Sequence, residues 1–233
     1  MKTIGVIGAL EVELTLLKAK LDIISSRNIA GMEFYLARNS GKTVVVSRSR
    51  VGKVNAAMCA QIMIDIYGVD LIINTGVAGA ISYTLEIGDI VISHDVVQHD
   101  FDTTGVGDEP YTNPSIPKSF FPAGKTLVEL AERSCEKVLP LGNCAHIGRI
   151  ATGDQFIMDK KHKEKILKDL GALCVEMEGG AIAQVCYLNG IDFVILRAIS
   201  DKADDEAGVS FEKFAREAAD RCASIVEVMI GGL

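Results

Sequence analysis

The chain has 233 residues, 48% of them hydrophobic, with a formal net charge of −7. That size and composition predict one α/β domain over residues 1–233 with a large buried core. The acidic balance excludes a general affinity for nucleic acid or acidic membranes, and no apolar run approaches the length of a membrane span.

In chain order, residues 3–9 form a short apolar run that predicts a strand rather than a signal peptide, because Glu11 and Glu13 follow at once. Cytoplasm is the expected location. A helix is predicted from Glu11 to Leu21. Glu33–Leu36 and Thr43–Val46 flank Asn39-Ser40-Gly41, which reads as a hairpin turn and makes the sheet mixed. A helix from Val54 to Tyr67 stops at Gly68, and Leu71–Gly76 and Asp89–Ile92 read as strands. Residues 100–122 hold four of the five prolines and lack periodicity, so a functional loop or an interface element is expected there. Lys125–Val138 reads as helix and Cys144–Ala151 as strand. Asp159–Leu170 reads as a surface helix in which Glu164 and Lys168 are spaced to pair. Ala172–Val175 is a strand ending in acids, followed by a helix to Gly190. Phe193–Leu196 is another strand, and a last helix is expected to start with Ser210 as its N-cap. The alternation predicts a three-layer α/β/α sandwich with a mixed, twisted central sheet.

Little points to a metal or cofactor. Cys59, Cys135, Cys144, Cys174, Cys186 and Cys222 include no CxxC pair and read as reduced thiols, mostly in the core. His94, His99, His146 and His162 show no zinc spacing. His99 reads as a loop histidine bonded to backbone or to an acid, with metal ligation as the alternative. Gly5-Val6-Ile7-Gly8 and Gly76-Val77-Ala78-Gly79 are neither GxGxxG nor GxxxxGK[ST], so dinucleotides and nucleoside triphosphates have no evident cradle. These glycines serve tight turns or the close approach of a small ligand.

Acids at strand ends are the sharper signal. Ligands of open α/β sheets bind beyond the carboxyl ends of strands, and ionised groups there need partners. In an extended Val175-Glu176-Met177-Glu178, Glu176 and Glu178 share one face, with Val175 and Met177 on the other. Taken alone, Glu13 is a helix-start acid suited to the helix dipole, and Asp201 is a loop acid or cap. Three acids converging on a crevice point to proton chemistry on an uncharged or cationic substrate.

Together these strings resemble the 5′-methylthioadenosine/S-adenosylhomocysteine nucleosidases of the nucleoside phosphorylase superfamily, over nearly the whole chain. The resemblance rests on Ile7-Gly8-Ala9-Leu10-Glu11-Val12-Glu13, Asn74–Gly79, Gly153-Asp154-Gln155-Phe156-Ile157, Val175–Glu178 and Ser200-Asp201. It implies a nucleoside phosphorylase-like fold and a hydrolase that releases adenine without a metal or cofactor. Glu13 would activate water and Asp201 would protonate adenine N7, with Ser200 in the same segment. Ala78 and Gly79 would lie beside the ribose. Phe156 would stack on the purine, and Ile157 would offer backbone hydrogen bonds. In the ribose segment that includes Glu176, Met177 would pack on the sugar and Glu178 would bind its hydroxyls. Phe211 would line the alkylthio pocket. A homodimer is implied, in which loop 100–122 brings Val106 and Pro114 to the 5′ group bound by the other subunit.

The sequence departs from the family pattern at Arg50, where a glycine often precedes the Val51-Gly52-Lys53 string, and at Val106, where relatives often carry a larger aromatic. Arg50 keeps a phosphorylase of the same fold in contention, since phosphorolysis needs cations around phosphate. Two further activities fit the same residues: cleavage of 6-amino-6-deoxyfutalosine, and binding of an adenosine compound without turnover.

Overall fold

A computed structural model describes residues 2–204 and 207–233 of the chain. Its centre is a ten-stranded mixed sheet. The strands are β1 (Thr3–Gly8), β2 (Asp22–Ile29), β3 (Met32–Asn39), β4 (Lys42–Arg48), β5 (Leu71–Ala80), β6 (Ile90–Gln98), β7 (Phe120–Pro122), β8 (Ala145–Thr152), β9 (Cys174–Glu176) and β10 (Asp192–Asp201). The helices are α1 (Glu11–Lys20), α2 (Lys53–Tyr67), α3 (Lys125–Val138), α4 (Lys160–Leu170), α5 (Gly179–Asn189) and α6 (Ala207–Gly232).

Strands β1, β4, β5 and β10 run parallel, so their carboxyl ends open on one side of the sheet. β2, β3 and β4 form an antiparallel meander at one edge. At the other end the sheet curls on itself. β5 pairs with β10, β10 with β6, β6 with β8, β8 with β9, and β9 returns antiparallel to the end of β5.

Alternation along the strands sends side chains to two cores. Val194, Leu196 and Ala198 of β10 face a core packed with α1, α3 and α6, whereas Phe193, Ile195 and Ile199 face one packed with α2 and α5. This gives the three layers. It also explains why β1, β5 and β10 read as continuous apolar runs, since strands buried on both faces have no polar side to show. A third core lies beneath α4 and includes Ile157, Ile166, Val175 and Ala203.

Several local expectations change. The last helix runs from Ala207, so Ser210 lies inside it and is not its N-cap; buried Ala207 lets packing hold the first turn. On α4 the ion pairs are Lys160–Glu164 at 3.9 Å and Lys165–Asp169 at 3.1 Å instead of Glu164 with Lys168. Cys144 is exposed while the other five cysteines are buried. The loop 100–122 holds a 3₁₀ turn at Thr104–Val106 and strand β7, which hydrogen-bonds to β6. Among the described residues, no helix is long and apolar enough to cross a membrane.

Candidate active site

A cavity of about 320 Å³ opens at the carboxyl ends of β1, β5 and β10, closed on one side by the β9–α5 junction. Glu13, Ala78, Gly79, Phe156, Ile157, Glu176, Met177, Glu178, Ser200, Asp201 and Phe211 all line it. That volume is at the small end of the range of about 300–1,000 Å³ usual for small-molecule sites.

Glu13 is buried at the third position of α1. Its Oε2 accepts from the amides of Ala9 at 2.7 Å and Leu10 at 2.9 Å, and its Oε1 accepts from Val77 at 3.2 Å. Thus the carboxylate both caps its own helix and ties the β1–α1 turn to β5. Burial raises its pKa, against the opposing pull of Arg197 and the three amides. A carboxylate made more basic in this way suits proton abstraction.

Arg197 is the central feature to which the sequence motifs assign no role. It lies inside β10, 1% exposed, with apolar neighbours in sequence. A guanidinium in such a place must be paired. Its Nη2 donates to Glu176 and, at 2.6 Å, to Asn74 Oδ1, and it stands 3.6 Å from Glu178 Oε2. Burial works against the ion, but Glu176, then Glu178 and Glu13, more than offset it and hold the group charged. Gly76 makes room for this arrangement, because a Cβ there would lie 2.0 Å from Arg197 Nη1 and 2.6 Å from Glu13 Oε1. An arginine interrupting an apolar strand was the signal available in the sequence.

The two acids of the β9–α5 junction divide their work. Strand β9 ends at Glu176, and Glu178 occupies the cap of α5, so the extended parity expected through Glu178 does not hold. Both carboxylates reach Arg197 nevertheless. Glu176 is fully engaged: it accepts from the Glu178 amide at 3.0 Å, the Gly179 amide at 2.7 Å, Arg197 and the Thr152 hydroxyl. Glu178 accepts from the Gly52 amide at 2.9 Å and otherwise faces the cavity. Gly52 has φ +99°, which a residue with a side chain adopts only under strain. Burial, then the charge of Glu176, pushes Glu178 up to about 8.

Asp201 is placed by a break in pairing. Register between β10 and β5 shifts between Ile199 and Asp201, leaving Ser200 as the extra residue of a bulge. Asp201 accepts from the Ala203 amide and the Ser200 hydroxyl, both at 2.9 Å. Burial is the largest influence and raises its pKa, as a proton donor near neutral pH requires.

The walls are apolar. Phe156 and Phe211 meet edge to face, with centroids 5.8 Å apart. Ala9, Leu10, Val51, Val77, Gln155 and Val175 also line the cavity and had carried no signal of their own. Val106 and Pro114 do not line the cavity of their own chain; both are exposed on loop 100–122. Arg50 turns away from it and donates to the Gly31 carbonyl at 2.6 Å. His99 is buried, and neither ring nitrogen has a hydrogen-bond partner among the described residues, so it is not the loop histidine bonded to backbone or acid that was expected. Burial drops it to about 4, which leaves the ring neutral.

The cavity therefore brings four carboxyl groups, those of Glu13, Glu176, Glu178 and Asp201, to one set of walls. Among the described residues that line it there is no lysine or arginine.

Known proteins resemble this chain over nearly its whole length. The family model described as the phosphorylase superfamily matches residues 3–231. A curated 5′-methylthioadenosine/S-adenosylhomocysteine nucleosidase of Staphylococcus aureus is 41% identical, covering 99% of this chain and all of its own. The crystal structure of the Neisseria meningitidis 5′-methylthioadenosine/S-adenosylhomocysteine nucleosidase in complex with methylthio-immucillin-A is 35% identical and matches at a TM-score of 0.95, with both chains covered in full. The futalosine hydrolase of Helicobacter pylori is 31% identical and matches at 0.94, covering all of this chain and 98% of its own.

Proposed function

The chain belongs to the phosphorylase superfamily, and we propose that within it this protein is a hydrolase of 5′-methylthioadenosine and S-adenosylhomocysteine, releasing adenine and the 5-thio-substituted ribose. The observation that carries the choice of water over phosphate is the absence of a cation among the described cavity-lining residues. Arg50 is held by the Gly31 carbonyl, and buried Arg197 is taken up by Glu176 and Asn74. A phosphate dianion would face Glu13 with no lysine or arginine on the described cavity wall to bind it.

Adenine is a poor anionic leaving group, and protonation at N7 lets it depart neutral. Asp201, whose pKa burial raises, is the donor. The sugar becomes oxocarbenium-like, and Glu13, fixed by three amides, accepts the proton of the attacking water. Glu178 accepts from ribose hydroxyls, for which its place on the cavity wall and its Oε2, 3.6 Å from Arg197, are suited. Glu176 lines the ribose side and keeps Arg197 paired. Met177 packs on the sugar, with Ala78 and Gly79 beside it. Phe156 stacks on the purine, the Ile157 backbone reads its edge, and Phe211 borders the 5′ substituent.

The working unit is a homodimer in the cytoplasm, serving methionine salvage, with Val106 and Pro114 of one subunit approaching the 5′ group held by the other. Exposed Val54 on α2 and Leu188 on α5 support an apolar partner face, since these helices pack side by side. The likeness to the futalosine hydrolase favours 6-amino-6-deoxyfutalosine as a second substrate to test.

The test is product analysis with 5′-methylthioadenosine, with and without millimolar phosphate, in wild type and Arg50→Gly. Free adenine and methylthioribose are expected from both, independent of phosphate. A 1-phosphate sugar formed by wild type and lost in Arg50→Gly would make the chain a phosphorylase. Absence of turnover with tight adenosine binding would make it a sensor.

A further inference from the structure

Lys163 on α4 is 5% exposed, a place where an ammonium group must be paired. Its Nζ donates to the backbone carbonyl of Lys202 and stands 5.2 Å from the centroid of the Tyr83 ring. Lys202 immediately follows Asp201. The Lys202 ammonium turns the other way, to the Leu85 carbonyl and, at 2.8 Å, to Glu86. The segment after Asp201 is thus gripped from α4 by Lys163 and tied to the β5–β6 connection by Lys202. Next comes Ala203, whose amide donates to Asp201 and whose side chain packs in the same core as Ile166 and Leu170 of α4.

We infer that Lys163 is a positioning residue for the proton donor: it clamps the Lys202 carbonyl so that Asp201 and the amide bonded to it face the cavity, and it sets one positive charge beside that acid. This deepens the proposed hydrolase reading and rests on the role given there to Asp201.

The groups that act on Asp201 can be named. Burial raises its pKa; the Ala203 amide and the Ser200 hydroxyl lower it; the charge of Asp204 raises it and that of Lys163 lowers it. The Cys174 thiol of β9 also stands within electrostatic range and is pushed far up by burial, so it stays protonated. Burial lowers the pKa of Lys163 itself, while Asp204 favours its charged form. Removing the Lys163 charge therefore leaves Asp201 protonated to higher pH, so the limb on which activity falls with rising pH moves up.

The experiment compares wild type, Lys163→Met and Lys163→Arg on two substrates. One is 5′-methylthioadenosine. The other is a 4-nitrophenyl 5-methylthioriboside, whose leaving group departs as an anion and needs no proton. Lys163→Met is expected to lose about 10-fold or more in kcat on the nucleoside but to stay within about twofold on the nitrophenyl riboside. Its descending pH limb should lie higher than that of wild type, and Lys163→Arg should restore both values. Equal loss on the two substrates, or an unchanged limb, overturns the inference. If Lys163→Met does not fold, Lys163→Gln keeps a donor for the Lys202 carbonyl and removes the charge; a wild-type limb in that variant also overturns it. Wild type that cleaves neither substrate overturns the hydrolase reading along with it.

Discussion

Glu13 and Asp201 have raised pKa values from the same cause, burial, and this has opposite consequences for two roles. The base must be ionised, so activity should fall as pH drops through the Glu13 value. The acid must be protonated, so activity should fall as pH rises through the Asp201 value. A bell-shaped kcat/KM profile is the expected result. Asp201→Asn and Glu13→Gln should each lose about 10²–10⁴-fold in kcat with the fold intact, the usual range for positioned proton transfer. Either variant keeping more than roughly a tenth of wild-type kcat would remove that residue from its role. Residual activity in Glu13→Gln should also lack the ascending limb; persistence of that limb would assign it to another group, Glu178 first.

At the scale of elements, the site depends on three irregularities: the capped start of α1, the bulge at Ser200 and the Glu178 cap of α5. Their acids were legible in the sequence because each interrupts or directly follows an apolar run. The bulge itself was not legible, since nothing in Ile199-Ser200-Asp201 distinguishes a paired strand end from a shifted one. Strand β2 was missed for a similar reason. Its Ser25-Ser26-Arg27-Asn28 stretch is polar on both faces, because it lies exposed at the sheet edge with no core to impose alternation. Arg197 went unassigned because its partners come from distant elements, β5, β9 and the α5 cap. Gly76 tests how tightly these elements meet. In Gly76→Ala the new methyl falls on Arg197 and Glu13, so about 100-fold or greater loss of kcat is expected from displaced groups. Far-ultraviolet circular dichroism should stay near wild type, and wild-type kinetics would show that the Arg197–Glu13 approach is looser than described. The loop 100–122 is rooted at Asp100, which accepts from Lys53 Nζ at 2.6 Å and the Asp154 amide at 2.9 Å. Tyr111 ties its middle to Asp169 of α4 at 2.7 Å, while Val106 and Pro114 stand exposed. Val106→Phe is expected to alter discrimination between methylthio and homocysteinyl substrates more than release of adenine from adenosine. Equal effects on all three would place Val106 outside the 5′ site, and a fully active monomer in sedimentation at nanomolar concentration would remove the shared site altogether.

Across the whole molecule, burying Glu13, Glu176 and Glu178 around one guanidinium leaves more acid than cation in the same core region. Burial raises both Glu13 and Glu178 in this cluster, Glu178 up to about 8 from an ordinary 4.5. The sign of the linkage follows from that direction. Between pH 4.5 and about 8 the unfolded chain has released the Glu178 proton while the folded protein retains it. The unfolded state therefore binds fewer protons, and stability declines with rising pH in that interval. The contribution is complete below the lower value and lost by the time pH passes the upper one. Urea denaturation across the interval, at fixed protein concentration because subunit association would also shift stability, should show this decline in wild type. Glu178→Gln carries no titrating group at that position and should lessen the decline, to which the raised values of Glu13 and Asp201 also contribute. A bound ligand with ribose hydroxyls donates to Glu178 and favours its carboxylate, so binding should release protons in the same interval, measurable by calorimetry in buffers of different ionisation enthalpy. A decline of identical slope in wild type and Glu178→Gln, with no proton release on binding, would mean that Glu178 is ionised throughout and that Arg197 balances the cluster more completely than its partition between Glu176 and Glu178 implies.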